Sequence, residues 1–151
     1  MKYPRVVVYE RDGRLAQILT EPVHARGWAL REPRQSDTLR RELHGGCPTV
    51  LVLKIGAKLE QELSLVEQAH CQSADVRIVV VGDVENEALA SLAWTLGASF
   101  VLVPPLPREL LPEVVLRLME AAIQSASPAT RAARQAGTPD AGAAHEESGR
   151  D

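Results

Sequence analysis

The sequence predicts a single α/β domain: a parallel sheet of five strands, doubly wound with five helices. Three observations lead there. Short aliphatic runs alternate with segments of helical periodicity, in β-α order, five times over. The runs Val50-Leu51-Val52-Leu53 and Ile78-Val79-Val80-Val81 are apolar at every position. Such strands are covered on both faces, as in a parallel sheet flanked by helices, whereas an antiparallel sandwich would show alternation and hairpin turns. Finally, 151 residues suffice for one well-packed domain and not for two ordinary ones.

The elements follow in order. Arg5-Val6-Val7-Val8-Tyr9 is a β-branched strand, and Glu10-Arg11-Asp12-Gly13 is a polar turn with Asp12 as a candidate helix cap. Leu15, Ile18, Leu19 and Val23 recur at helical spacing, Pro22 bends or shortens that helix, and Gly27 stops it. Trp28-Ala29-Leu30 is the weakest strand. Ser36 is placed to cap a short helix with Leu39 and Leu43 inward and Gly45-Gly46 at its end.

The third strand, Thr49 to Leu53, leads to a helix marked by Leu59, Leu63, Val66 and Ala69. The fourth, Val76 to Val81, ends at Gly82-Asp83, and Asp83 or Asn86 caps a helix with Leu89, Leu92, Ala93 and Leu96 inward. Gly97-Ala98-Ser99 turns into the fifth strand, Phe100 to Val103. The last helix starts after Pro107 and carries Leu110, Leu111, Val114, Val115, Leu118, Met119 and Ile123. Residues 1–124 are thus expected to form the domain. Residues 125–151, rich in Ala, Gly, Glu and Arg and without a large apolar side chain, are expected to be a flexible or disordered tail.

Composition narrows the function. The formal charge of −3 offers no nucleic-acid footprint, and the basic pairs have acidic neighbours. No apolar stretch approaches the 18 residues of a membrane span. Cys47 and Cys71 form no CxxC pair, and Met1-Lys2-Tyr3-Pro4 leads straight into a strand, so a reducing cytoplasm is the expected setting. His24, His44, His70 and His145 have no ligand-type spacing. No GxGxxG, Walker or Gly-x-Ser-x-Gly pattern is present. No catalytic residue, metal ligand or cofactor is expected on these grounds.

Right-handed crossovers gather the loops after Val8, Leu53, Val81 and Val103 at the carboxyl edge of the sheet, where α/β proteins place their sites. There the passage Gly97-Ala98-Ser99-Phe100-Val101-Leu102-Val103-Pro104-Pro105, fifteen residues after Gly82, resembles the end of a response-regulator receiver domain. The resemblance to this CheY-like family covers Arg5 to Ile123 and implies strand order 2-1-3-4-5. It also implies an acidic pair after strand one, a phosphorylated Asp after strand three, a Thr or Ser after strand four and a Lys-Pro pair after strand five. Those positions fall on Tyr9 and Glu10, Lys54, Gly82, and Pro104 and Pro105, and the family's aromatic switch position falls on Val101. Only Glu10 and Pro105 keep the family's residue type.

The departures remove the chemistry. Lys54 cannot form an acyl phosphate and repels the Mg²⁺ that phosphotransfer needs, Gly82 has no hydroxyl, and Pro104 has no ammonium. No Asp between Cys47 and Ser73 restores the acceptor. Lys54 is expected either to replace the metal as a fixed cation beside Glu10, with Asp12 and Asp83 as further partners, or to point into water. The Pro104-Pro105 bond is a candidate for the cis form that the resemblance implies.

The sequence therefore points to a pseudo-receiver, a non-enzymatic module that docks a signalling or regulatory protein, or a second copy of itself, without phosphorylation. The face formed by helix four, strand five and helix five is the expected surface, with Glu87, Ala90, Ser91, Trp94, Arg108, Glu113 and Arg117 on it. Trp94 is the candidate anchor, or else a core residue. The alternative is a flavodoxin-like ligand-binding domain or enzyme using the crevice near Glu10, Lys54 and Asp83.

Overall fold

The computed structural model describes residues 3–44, 47–56, 58–72 and 76–126. The expected tail beyond Ala126, His145 and the Gly45-Gly46 helix stop lie outside the described residues. The chain order is β1 (Arg5–Tyr9), α1 (Arg14–Ala25), β2 (Ala29–Arg31), α2 (Ser36–Leu43), β3 (Thr49–Lys54), α3 (Leu59–Gln72), β4 (Val76–Val81), α4 (Glu87–Leu96), β5 (Phe100–Leu102) and α5 (Leu111–Ala126), with a 3₁₀ turn over Arg108–Leu110. All strand pairs are parallel, and the sheet order is β2-β1-β3-β4-β5, the order the sequence led us to expect. The last helix runs two residues past the expected domain boundary.

Successive side chains on a strand point to opposite faces, which divides the core in two. Val7, Leu51, Leu53, Ile78, Val80 and Val101 pack beneath α2, α3 and α4. Val6, Val8, Val50, Val52, Val79 and Leu102 pack beneath α1 and α5. Val50 to Leu53 in β3 and Ile78 to Val81 in β4 are apolar at every position because each alternate set meets its own helical layer. This division also fixes where strand-end side chains go: Glu10 continues the phase of Val6 and Val8, and Lys54 that of Val50 and Val52.

The helices keep the expected periodicity and most of the expected inward positions, but one expected residue in each of α1, α3 and α4 is exposed. In α1 the buried set is Leu15, Ala16, Leu19 and Val23, and Ile18 is exposed. Pro22 stays within the helix, which continues to Ala25. In α3, Leu65, Val66 and Ala69 are buried, whereas Leu59 is exposed and Leu63 half-buried. In α4 only Ala93 is fully buried and Leu92 faces outward. The caps differ too. Gly13, not Asp12, precedes α1 in a left-handed conformation (φ 76°), and Gln35 rather than Ser36 precedes α2. Asn86 caps α4 as expected, its side-chain oxygen accepting from the Leu89 N–H at 3.0 Å.

Candidate functional site

The carboxyl ends of β1, β3 and β4 converge where the sequence placed the site, and Glu10, Lys54 and Asp83 all line one crevice there. Their pairing meets the expectation for Asp83 and departs from it for Glu10. Helix α1 starts after Gly13, which has no side chain to cap it, so the first-turn N–H groups need another acceptor. Glu10 supplies it. Its Oε1 accepts from the Leu15 N–H at 3.0 Å and its Oε2 from the Ala16 N–H at 2.9 Å. The carboxylate thus sits at the positive end of the helix with both oxygens engaged.

Lys54 meets Asp83, one of the further partners expected for it. Its Nζ lies 3.2 Å from Asp83 Oδ2, and its side chain is only 18% exposed, so it does not point freely into water. No ion pair joins Lys54 to Glu10 among the described residues. The other Asp83 oxygen accepts from the Arg108 guanidinium, which also approaches the Gly82 carbonyl at 3.5 Å. Arg108, together with Lys54, holds the Asp83 carboxyl below its ordinary value of 3.8. Asp12, at the outer rim, is also held below its ordinary value, chiefly by the Arg14 N–H donating to it.

Arg108 is the residue whose role sequence reasoning missed. It was placed on the docking face, yet its side chain is 30% exposed and turned toward Asp83. The available signal was its position: it stands four residues after Pro104, in the loop that borders Gly82-Asp83 at the same sheet edge. Arg108 brings a second cation to this corner.

The remaining positions are accounted for individually. Gly82 is buried, and a Cβ added there would lie 3.0 Å from Val103 Cγ1. Val101 is buried beneath α3 and α4, Tyr9 packs half-buried against the same layer, and the Pro104-Pro105 peptide is cis. On the expected docking face, Glu87, Ser91 and Trp94 are exposed and follow one stripe of α4. Trp94 is 48% exposed, which excludes the core placement, and its ring meets Phe100 edge-on at 6.3 Å between centroids. Ala90 turns inward against the core, and Glu113 pairs with Arg117 at 3.3 Å on α5.

These residues do not fit the Mg²⁺ that a receiver site implies. A small divalent ion needs converging oxygens. Here Glu10 spends both of its oxygens on α1, and Asp83 faces two cations. Among the described residues no group of three or more His, Cys, Asp or Glu is placed to hold a metal, and no helix is long and apolar enough to cross a membrane.

No family model and no curated protein matches the chain. Solved structures do. NtrX from Brucella abortus aligns at a TM-score of 0.63 and 19% identity over 81% of this chain, which spans only 27% of the NtrX chain. A two-component response regulator from Clostridium difficile aligns at 0.63 and 14%, covering 78% of this chain and 96% of that one. The beryllofluoride-activated NtrC4 receiver domain dimer aligns at 0.61 and 17%, covering 82% and 98%. This chain has the receiver fold. At these identities the likeness is one of fold.

Proposed function

We propose that this chain is a receiver-fold protein-docking module that accepts no phosphoryl group. The observation that carries the reading is the Lys54–Asp83–Arg108 cluster, which occupies the corner where a receiver would assemble acceptor, metal and charge-neutralising lysine. With Lys54 in place of a carboxylate, no acyl phosphate forms. The two cations bridge β3, the β4–α4 loop and the β5–α5 loop from within the chain, which suits a fixed surface better than a switched one. Glu10, Lys54 and Asp83 are each engaged with another group, which argues against acid–base catalysis at this edge.

The docking face in this reading is α4-β5-α5, with Trp94 as anchor and Glu87 and Ser91 beside it. A large aromatic side chain half-exposed on an otherwise polar stripe is the kind of residue that dominates interface energetics. The occupant is a second copy of this chain or a signalling protein in the cytoplasm, and the dimer formed by the NtrC4 receiver domain gives the first possibility a precedent in the same fold.

Incubation with acetyl phosphate and Mg²⁺, followed by intact-mass measurement and sedimentation velocity, tests the reading. Mass and assembly state are expected to stay constant. A covalent phosphate, or an Mg²⁺-dependent change in assembly, overturns it. If the native protein is dimeric, Trp94→Ala is expected to shift it toward monomer, and an unchanged dimer removes Trp94 from the interface.

A further inference from the structure

Between α3 and the loops that follow β1, β3 and β4, the carboxyl edge opens into a crevice of about 700 Å³. That volume lies within the range of pockets for organic ligands, which are mostly apolar with a few charged groups. Tyr9, Ile55, Leu65 and Leu89 supply the apolar wall, and Leu59 stands exposed on the lining.

The charges around it are balanced in number but not in engagement. Each lining acid has a partner within the chain. Glu10 caps α1, Asp12 accepts from the Arg14 N–H, Asp83 holds Lys54 and Arg108, and Glu62 accepts from the Gly56 N–H at 2.8 Å. The lining cations are less engaged. The side chains of Arg11 and Lys58 have no ion-pair or hydrogen-bond partner among the described residues, and Arg34 reaches only Glu32, at 3.9 Å. An apolar wall beside two cations that no carboxylate pairs, Arg11 and Lys58, and a third held only loosely, Arg34, is complementary to an amphipathic anion.

We propose that this crevice binds a small organic anion, a carboxylate, sulfonate or phosphate ester carried on an apolar body. The body packs against Ile55, Leu65 and Leu89, and the charged group is met by Arg11, Arg34 and Lys58. The proposal stands whether or not the chain docks a protein through α4-β5-α5.

The test uses the full chain and two fluorescent probes of similar apolar body, anilinonaphthalene sulfonate and the uncharged N-phenylnaphthylamine. The sulfonate is expected to bind saturably, one per chain, and more tightly than the neutral probe. Combining Arg11→Glu with Lys58→Glu should weaken the sulfonate about fivefold or more, as the loss and reversal of two partly screened charges implies. Arg26→Glu with Arg41→Glu, which changes net charge equally at the carboxyl ends of α1 and α2, on the opposite edge of the sheet, should weaken it by less than about twofold. A salt titration of the unmodified chain, which needs no variant to fold, should weaken the sulfonate and leave the neutral probe unchanged. Absence of saturable binding, equal affinity for both probes, equal loss in the two charge reversals, or a salt-independent sulfonate affinity each overturns the proposal.

Discussion

Glu10→Gln separates the helix-cap role of this carboxylate from a partnership with Lys54. Glutamine keeps one acceptor oxygen but turns an NH₂ group toward one of the two N–H donors of Leu15 and Ala16, and it removes the negative charge at the start of α1. Losing one charge-assisted hydrogen bond in a half-buried position, with the helix-dipole contribution, is worth about 1–2 kcal/mol. That corresponds to a urea midpoint lower by roughly 0.5–1 M for a domain of this size. A double-mutant cycle with Lys54→Met at physiological salt then reads the coupling directly. It should stay below about 0.5 kcal/mol for Glu10 with Lys54, since each has a different partner. The parallel cycle of Lys54→Met with Asp83→Asn should give about 0.2–1 kcal/mol, at the lower end because the Asp83 side chain is 60% exposed. A wild-type midpoint for Glu10→Gln, or a coupling to Lys54 that exceeds the Asp83 value, would refute the cap assignment.

Two further outcomes follow from the same geometry. Gly97 ends α4 at φ 118°, and a Cβ there would collide with the His70 ring carbon Cγ and with His70 Cβ, so Gly97→Ala should destabilise by about 2 kcal/mol or more in thermal or urea unfolding; a change under about 0.5 kcal/mol contradicts it. The Asp83 carboxyl is depressed in the folded chain, so its pairing stabilises fully above its ordinary value of 3.8 and loses that contribution as pH falls through the lower folded value. Asp83→Asn should therefore flatten the decline of urea stability with falling pH in that acid window, while leaving the pH dependence between 6 and 8 unchanged; an unaltered acid slope counts against the pairing.

Much of the fold was legible because the signals are local. Each apolar run announces its own strand, and Gly97 with the following Ala98-Ser99 announces its own turn. The helix faces were less legible. Leu59, Leu92 and Ile18 each fit a helical stripe, yet all three are exposed. Periodicity gives the spacing of a stripe but not the rotation at which the helix meets the sheet, which depends on its neighbours. Trp94 was open for a similar reason: it lies beside the buried stripe, and only its contact with Phe100 at the sheet edge decides that it stays half-exposed.

Residue identity alone states which groups three strand-end positions do not carry. Lys54 has no carboxylate, Gly82 no hydroxyl and Pro104 no side-chain ammonium, whatever the surrounding geometry. What the site does instead was decided by the tertiary structure, because its contacts join residues remote in the chain. Glu10 had a choice between nearby backbone donors and a distant ammonium, and the left-handed Gly13 leaves α1 uncapped so that the donors take it. Lys54 and Arg108 then share Asp83, a residue that only the parallel packing of β3, β4 and β5 brings within reach of both.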